Sequence, residues 1–180
     1  MNIALLSVGY TADESTGLCG VIAATDIGTH LSEWVCDSKP SACSWRGVTC
    51  SGGHVRAVNV SYVGLSGTLP TSIGKLIYLT SLTLSKNKLQ GSIPSSWMTL
   101  TALRSLVLSS NSLTNVVPDM IGSLTALVKL NLNKNSLSSS IPTVLAMCSL
   151  LGDLSLGFNN RKHSTGIRDF AWSNVADDPS

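Results

Sequence analysis

Leucine recurs along the middle of the chain with a fixed period. Segments that begin at residues 55, 79, 103, 127 and 151 start 24 residues apart. The second reads Leu-x-x-Leu-x-Leu-x-x-Asn-x-Leu over residues 79–89, and residues 103–113 and 127–137 repeat it without a fault. Residues 55–65 follow it with valine in most leucine places and Val63 in place of the asparagine. Self-similarity at such a period predicts a solenoid, in which each turn buries its apolar face only against neighbouring turns.

Each segment predicts a short strand followed by an inward turn. Leu82 and Leu84 alternate with Thr83 and Ser85, which is the period of a strand with one buried face. An asparagine follows where the chain bends, and we expect its amide to satisfy backbone groups there, as a scaffold residue. These asparagines are Asn87, Asn111, Asn135 and Asn159.

The second half of each segment carries a proline at a constant place: Pro70, Pro94, Pro118 and Pro142. Proline lacks an N–H and suits an edge or a turn. We therefore predict an extended or turn segment and then a half-turn of helix on the side opposite the strands.

Composition narrows the class of protein. The chain has 180 residues, 43% of them hydrophobic, which is typical of one folded domain rather than a disordered chain. Only 12% of the residues are charged, about half the share usual for soluble globular domains, which favours an extracellular or cell-surface module. A formal charge of +2 without a basic run gives no basis for nucleic-acid binding. No stretch reaches the ~20 apolar residues of a membrane span. The apolar start, residues 1–9, is either a truncated secretion signal or an ordinary N-terminal segment.

No arrangement of residues indicates catalysis, a cofactor or a metal site. His30, His54 and His163 are not near a serine or cysteine nucleophile with an orienting carboxylate. No glycine-rich phosphate loop follows a strand, and no cysteine pair has zinc-site spacing. We therefore predict a chain that is not an enzyme and that needs no small-molecule cofactor.

The run Leu89-Gln90-Gly91-Ser92-Ile93-Pro94 resembles the plant-type leucine-rich repeat of receptor-kinase ectodomains and polygalacturonase inhibitors. The run from Pro94 to Trp97, followed by Leu100, also resembles the leucine-rich-repeat surface antigens of trypanosomatids. This resemblance implies an α/β solenoid, a right-handed leucine-rich-repeat superhelix with a parallel concave sheet. It also implies extracellular recognition of proteins or peptides, with no catalytic residue.

The run Cys43-Ser44-Trp45-Arg46-Gly47-Val48-Thr49-Cys50 resembles the N-terminal cap of the same family. By this resemblance, Cys19 pairs with Cys36 and Cys43 with Cys50, which implies an oxidising compartment. The alternative is four reduced thiols in a cytosolic cap. Cys148 stands in a leucine column, so we expect it to be a buried, inert thiol.

The sequence predicts one helix before the repeats and favours a second, upstream helix less. We expect Asp26 to cap a helix in which Ile27, Leu31, Trp34 and Val35 share one face. A helix from Ser15 is less favoured by the sequence, because glycine lowers helix propensity and residues 17 and 20 are glycines.

Three regions follow from these patterns. Residues 1–54 form an N-terminal segment and cap, residues 55–160 form four full repeats and a partial one, and residues 161–180 break the pattern. Arg161 stands where a buried leucine is expected. Either Ile167, Phe170 and Trp172 cover the last strand as an irregular C-terminal segment, or the chain is a truncated part of a longer protein.

The outward-facing residues of each predicted strand form one row, and the five rows together form a surface that we call the concave face. Its basic residues outnumber Asp153, which favours an acidic or glycan-bearing partner, although solvated lysines and arginines are an equally good interpretation. Asn59-Val60-Ser61 is a glycosylation sequon on this face. The candidate binding residues are Arg56, Asn59, Tyr62, Thr83, Lys86, Arg104, Val107, Lys129, Asn131, Lys134, Asp153 and Phe158.

These observations predict a non-catalytic protein–protein recognition module, extracellular or on the cell surface, similar to a receptor ectodomain or a surface antigen. Its partner is a protein or peptide, and it reaches a membrane only through segments outside this chain. The alternatives are a secreted inhibitor of a foreign hydrolase and an intracellular leucine-rich-repeat scaffold.

Overall fold

A computed structural model describes residues 12–36, 42–138 and 142–159 of the chain. The apolar N-terminal stretch, His163 and residues 161–180, with their three apolar candidates for a C-terminal cover, lie outside the described residues.

The predicted solenoid is confirmed. The described residues form nine strands in two sheets, one of six strands in the order β1-β2-β4-β6-β8-β9 and one of three in the order β3-β5-β7. In chain order the strands are β1 (Val48–Ser51), β2 (His54–Asn59), β3 (Ser66–Thr68), β4 (Ser81–Thr83), β5 (Lys88–Gly91), β6 (Ser105–Val107), β7 (Ser112–Leu113), β8 (Lys129–Asn131) and β9 (Asp153–Ser155). Only β1 is antiparallel to its neighbour; the repeat strands pair in parallel.

The 24-residue period appears as register between neighbouring strands. Leu82 faces Leu106, Leu106 faces Leu130 and Leu130 faces Leu154, and these leucines are between 0% and 6% exposed. Each such side chain contributes roughly 1.5–3 kcal/mol by leaving water. The core is therefore a stack of leucine columns, and the same register aligns the polar residues on the opposite face of the sheet.

Short 3-10 helices close each turn on the far side, as the proline pattern predicts. Each begins directly after a proline: Thr71–Lys75, Ser95–Thr99, Asp119–Ser123 and Thr143–Met147. Cys148 follows the last of them and is 1% exposed, with its Sγ 3.3 Å from the carbonyl oxygen of Ile121. This exposure confirms Cys148 as a core residue, and burial raises the pKa of its thiol.

One asparagine ties each turn to the turn before it. The Nδ2 of Asn111 donates to the carbonyl oxygens of Leu84, one turn back, and Leu108 in its own turn, at 3.0 Å each. Its Oδ1 accepts from the N–H of Leu89. Asn135 and Asn159 repeat all three bonds at the same offsets. This ladder confirms the scaffold role that the sequence predicts for these residues.

The N-terminal cap begins with α1 (Ala12–Ala24), a helix that covers the first turn. A Cβ at Gly17 would lie 2.8 Å from Cδ2 of Leu76, and one at Gly20 would lie 1.7 Å from Oγ of Ser72. The two glycines that weaken the helix in the sequence thus permit its close packing on the Thr71–Lys75 helix. Ser72 donates to the Gly17 carbonyl oxygen at 3.0 Å.

The expected helix from Asp26 through Val35 is wrong in extent. Only α2 (Ile27–His30) forms, and the Asp26 side chain does not cap it. Leu31 and Trp34 are buried as expected, but Val35 is 43% exposed. The helix ends at His30 because Leu31 adopts an extended conformation, with φ of −129° and ψ of 90°, and the Asp26 carboxylate accepts hydrogen bonds from Ser66 of β3 instead of capping the helix.

Both disulfides that the resemblance implies are present, Cys19–Cys36 and Cys43–Cys50. The second joins a short 3-10 helix (Ala42–Ser44) to β1. Beside it, the Trp34 and Trp45 rings lie with centroids 5.0 Å apart, and Trp34 donates to the Arg46 carbonyl oxygen. The bridges and the indole pair thus hold the short elements of the cap together.

The cap meets β3 along a narrow seam. Asp26 accepts hydrogen bonds from the Ser66 N–H at 2.7 Å and the Ser66 hydroxyl at 2.6 Å, and Thr25 forms a bridge with Gly67. The hydroxyl, followed by the backbone N–H, lowers the pKa of Asp26 to about 2. His30 Nε2 lies 3.4 Å from the same carboxylate.

Replacing a ladder asparagine should cost far more stability than replacing a surface one. We expect Asn111→Ala to lower the free energy of unfolding by about 2–3 kcal/mol, because the Leu89 N–H loses its side-chain acceptor and the carbonyl oxygens of Leu84 and Leu108 each lose one of two asparagine donors. Asn131→Ala is the control, since its Oδ1 accepts only from the Asn133 N–H among the described bonds, and it should cost under about 1 kcal/mol. Urea denaturation measures both; equal losses would contradict the ladder's role.

Gly67 and Gly91 form a matched pair for testing the seam. They lie one repeat apart with φ of 110° and 81°, so an alanine is strained at either. A Cβ at Gly67 would meet the Ala24 carbonyl oxygen at 2.3 Å, whereas at Gly91 its nearest neighbour is a methyl 3.6 Å away. Gly67→Ala should therefore destabilise by about 2 kcal/mol more than Gly91→Ala. Indistinguishable unfolding curves would show that the cap does not dock on β3.

The seam should also respond to acid. Because its pKa is lowered to about 2, ionised Asp26 stabilises the fold above pH of about 4, and this contribution is lost as the pH falls toward 2. The Tm difference between the wild type and Asp26→Asn should be largest near neutral pH and close between about pH 4 and pH 2. Asp119→Asn, an exposed carboxylate without an ion pair among the described residues, should show no such closing gap.

Candidate binding face

The structure brings the candidate binding residues together on one surface. All twelve lie in the strand rows of the six-stranded sheet or within three residues of its strands. Register places Asn59 beside Thr83, Thr83 beside Val107 and Val107 beside Asn131. The concave face is therefore one continuous surface with its side chains in columns across the strands.

The side chains in the middle of this face are short and mostly polar. Thr83, Val107 and Asn131 are partly exposed, and their outward neighbours in the next column are mostly serines. The hydroxyls of Ser61 and Ser85 lie 3.1 Å apart across two rows. Such side chains leave the backbone of the sheet close to solvent, so a ligand can lie flat against it.

Positive charge on this face is only partly neutralised. Lys129 and Asp153 form an ion pair between neighbouring rows, with both side chains more than 40% exposed. A pair of this kind contributes roughly 0–1 kcal/mol, but it removes the one acid of the face. Four cations have no ion pair to any described residue: Arg56, Lys86, Arg104 and Lys134. The four cations lie on the same face, so the basic residues predicted from the sequence concentrate positive charge on one surface.

One border of the face carries the exposed aromatics. Tyr62 is 75% exposed and Phe158 is 60% exposed, and they stand at opposite ends of the same column. Nζ of Lys86 lies 4.4 Å from the centroid of the Tyr62 ring and 3.2 Å from its hydroxyl oxygen. Nζ of Lys134 lies 5.5 Å from the Phe158 centroid. Each ring thus has a lysine from the adjacent row above it.

The opposite border contains a cluster that sequence reasoning missed. The Arg56 guanidinium lies 5.3 Å from the Tyr78 centroid and donates to the Tyr78 carbonyl oxygen, and the His54 ring lies 3.8 Å from the same ring. His54 Nδ1 lies 3.2 Å from Oε2 of buried Glu14, whose Oε1 accepts from the Val55 N–H. Tyr78 was missed because it precedes its strand, at a place that alanine or leucine takes in later turns.

The sequon residue is accessible on the first row. Asn59 is exposed, and its Oδ1 accepts from the Ser61 N–H and the Ser61 hydroxyl. The described contacts give its Nδ2, the atom that carries an N-linked glycan, no hydrogen bond. Glycosylation of Asn59 remains a prediction, and the geometry is compatible with it.

Two kinds of feature are absent from the part of the chain that the structure describes. The described residues contain no group of three or more histidine, cysteine, aspartate or glutamate side chains placed to hold a metal ion. Within the same residues, no helix has both the length and the apolar character needed to span a membrane.

The known proteins to which this chain is similar include plant leucine-rich-repeat receptor kinases and receptor ectodomains. The receptor-like serine/threonine-protein kinase GSO2 of Arabidopsis thaliana is 41% identical over 58 residues, which is 32% of this chain and 5% of the kinase. A chain of the BIR3–SERK2 complex from the same plant is 34% identical, with a TM-score of 0.76 and 82% of each chain covered. The chain spans only a small part of the curated relative.

A third match carries a bound factor. It is the ectodomain of the Arabidopsis thaliana membrane receptor kinase GASSHO1/SCHENGEN3, solved in complex with CASPARIAN STRIP INTEGRITY FACTOR 2. The identity is 36% and the TM-score 0.69, over 73% of this chain and 16% of that one.

Family models match almost the whole described part of the chain. The model for leucine-rich repeats matches residues 53–113 and 101–160, and the model for the leucine-rich-repeat N-terminal domain matches residues 12–51. The chain therefore belongs to the leucine-rich-repeat family and carries that family's N-terminal cap.

Proposed function

We propose that this chain is a non-catalytic recognition module of the extracellular space or the cell surface, which binds a protein or peptide through the concave face. The observation that carries the proposal is the face itself. One uninterrupted sheet exposes columns of polar, basic and aromatic side chains, and four of its cations have no described ion pair. An extended surface of this composition offers many aligned contacts, which suits a macromolecular ligand better than a small molecule.

The described histidines support a non-catalytic role. His54 is held against Glu14 and Tyr78, and His30 lies near Asp26, so both serve contacts within the cap or between the cap and the first strands. Neither lies on the concave face beside a nucleophile. The one free cysteine of the described residues, Cys148, is buried in the core. These groups stabilise the fold, and the face has no described acid–base pair apart from the Lys129–Asp153 contact.

Two observations support an extracellular setting. The cap contains two disulfides, which form and persist in oxidising compartments. The relatives include a receptor-like kinase and a membrane receptor ectodomain. We propose that this chain occupies the place of such an ectodomain or of part of one, with any membrane attachment supplied by other segments.

The complex of the GASSHO1/SCHENGEN3 ectodomain with its factor supports a peptide or protein as the partner here. Size adds a condition. Five rows at ~4.8 Å spacing and ~17 Å length give about 400 Å², whereas a stable interface uses roughly 800 Å² per partner. We therefore propose that neighbouring parts of the fold contribute to binding. The cluster of His54, Arg56 and Tyr78 is the nearest candidate, because it borders the first row of the face.

Photo-crosslinking from matched positions identifies the partner and tests the face. A benzophenone amino acid replaces Val107, at the centre of the face, or Val116, which is 49% exposed and lies between β7 and the Asp119–Ser123 helix. Each secreted, oxidised protein is applied to intact cells of the source organism and irradiated. We expect a discrete crosslinked partner from position 107 and none from position 116.

Affinity for that partner then decides the proposal. Val107→Arg should weaken binding by at least tenfold, because a long cation at the centre of a flat face prevents close contact, and Val116→Arg should change it less than twofold. Both variants should keep the wild-type Tm, since neither valine belongs to the buried core. Equal loss in both variants, or loss only in Val116→Arg, would place recognition outside the concave face.

A further inference from the structure

The aromatic border of the concave face has an unusual, symmetric order. We call Tyr62, Lys86, Ser110, Lys134 and Phe158 the edge column; they are one repeat apart and read aromatic, lysine, serine, lysine, aromatic. Their φ angles lie between 52° and 62°, so all five adopt the left-handed conformation. This conformation favours glycine and asparagine, yet none of the five is either.

Hydrogen bonds across the rows hold the column in this conformation. The N–H groups of Tyr62, Lys86, Ser110 and Lys134 each donate to a carbonyl oxygen of the next row, at 2.8 to 3.1 Å. These backbone bonds fix the position of each Cα and the direction of its side chain. They do not depend on which residue types occupy the column. The order of side chains along the column is free to serve a ligand.

The two lysines lean away from the centre of the column. Lys86 lies over Tyr62 and Lys134 lies over Phe158, so each ammonium points toward its own end and Ser110 leaves the middle low. A contact between a lysine and an aromatic ring is weakly favourable at an exposed site, and it orients the ammonium without neutralising it. No described carboxylate forms an ion pair with either lysine.

A shallow shelf runs beside the column. Ser61, Ser85 and Ser109 form the inner neighbours of Tyr62, Lys86 and Ser110. Their small side chains leave room for an extended backbone to lie across the rows, next to the edge column. The column spans four strand spacings, about 19 Å, which an extended segment of about six residues covers.

We infer that the edge column binds an extended acidic segment of a protein partner, with two carboxylates held by Lys86 and Lys134 and the ends of the segment packed on Tyr62 and Phe158. The inference rests on the proposed function and names the chemistry of its ligand.

Spacing makes the inference specific. The two lysine backbones are two rows apart, about 10 Å, and their ammoniums are wider apart because both lean outward. In an extended peptide, side chains four residues apart lie on the same side and about 13 Å from each other. Adjacent acidic residues point to opposite sides and reach only one lysine at a time. The column should therefore prefer acidic residues at positions i and i+4.

Two fluorescent peptides of equal composition test this preference by anisotropy with the full, oxidised chain. The first is Thr-Glu-Thr-Thr-Thr-Glu-Thr and the second is Thr-Thr-Glu-Glu-Thr-Thr-Thr, both with blocked ends. We expect the first to bind at least five times more tightly than the second. We also expect its binding to weaken as salt is raised, because the contacts are between exposed charges.

Charge-matched variants distinguish the column from general basicity. The double variant Lys86→Gln, Lys134→Gln should weaken binding of the first peptide at least tenfold. Lys75→Gln, Lys88→Gln removes the same charge from two exposed lysines outside the concave face and should change binding less than twofold. The Tm of both proteins is recorded, so a fold defect is recognised.

Several results overturn the inference. These are equal affinity for the two peptides, equal loss in the two double variants, or no binding of the first peptide at millimolar concentration. A heparin tetrasaccharide is tested in parallel. If it binds more tightly than the peptide and depends on Lys86 and Lys134, the column recognises an anionic glycan instead. Crosslinking from Val107 makes no use of acidity, so failure here leaves the proposed function to be decided separately.

Discussion

One amide group per turn holds this molecule together. The ladder asparagine donates to a carbonyl in its own turn and to one in the previous turn, and it accepts from an N–H 22 residues earlier. A bend in the chain would otherwise leave these groups unpaired inside the protein, at a cost of about 1–3 kcal/mol each. The ladder therefore lets each turn stack at a fixed offset. The ladder bonds repeat with the same 24-residue offset as the strand register that aligns the columns of the concave face.

The first turn shows what happens where the ladder ends. Val63 stands in the asparagine place, and the side chain of Asn87 from the next turn accepts from three consecutive N–H groups, those of Val63, Gly64 and Leu65. No earlier repeat covers this turn, so the cap does. A glycine-containing helix packs on its 3-10 side and a hairpin strand pairs with β2. Two disulfides fasten the cap: one joins α1 to Cys36, after α2, and the other joins the Ala42–Ser44 helix to β1.

Most of the fold could be predicted from the sequence, because each repeat shows in its own residues which positions are buried, which bend the chain and which face solvent. The leucine columns, the ladder and the buried Cys148 are read from spacing, and the pairing of the cysteines from resemblance to the family. The role of Asp26 could not be predicted, because its carboxylate can either cap a helix or accept hydrogen bonds from Ser66, forty residues away. Local pattern favours the first; tertiary contact selects the second.

The candidate face shows the same division. Periodicity assigns its residues and their columns, since register depends only on the repeat. It does not show that Lys129 is neutralised by Asp153, or that Lys86 and Lys134 lie over aromatic rings. Nor does it find Tyr78, whose ring contacts Arg56 and His54 from outside the strand rows. These contacts depend on side-chain directions across turns, and they determine which charges remain available to a partner.

Hydroxyl-radical footprinting of the complex with the crosslinked partner tests most directly whether recognition uses the concave face. Tyr62 and Phe158 report on this face, and Met98 and Met147, which are 53% and 62% exposed, report on the side of the 3-10 helices. We expect the partner to slow oxidation of Tyr62 and Phe158 and to leave oxidation of the two methionines unchanged. Protection of Met98 and Met147, with both aromatics oxidised as in the free protein, would contradict it.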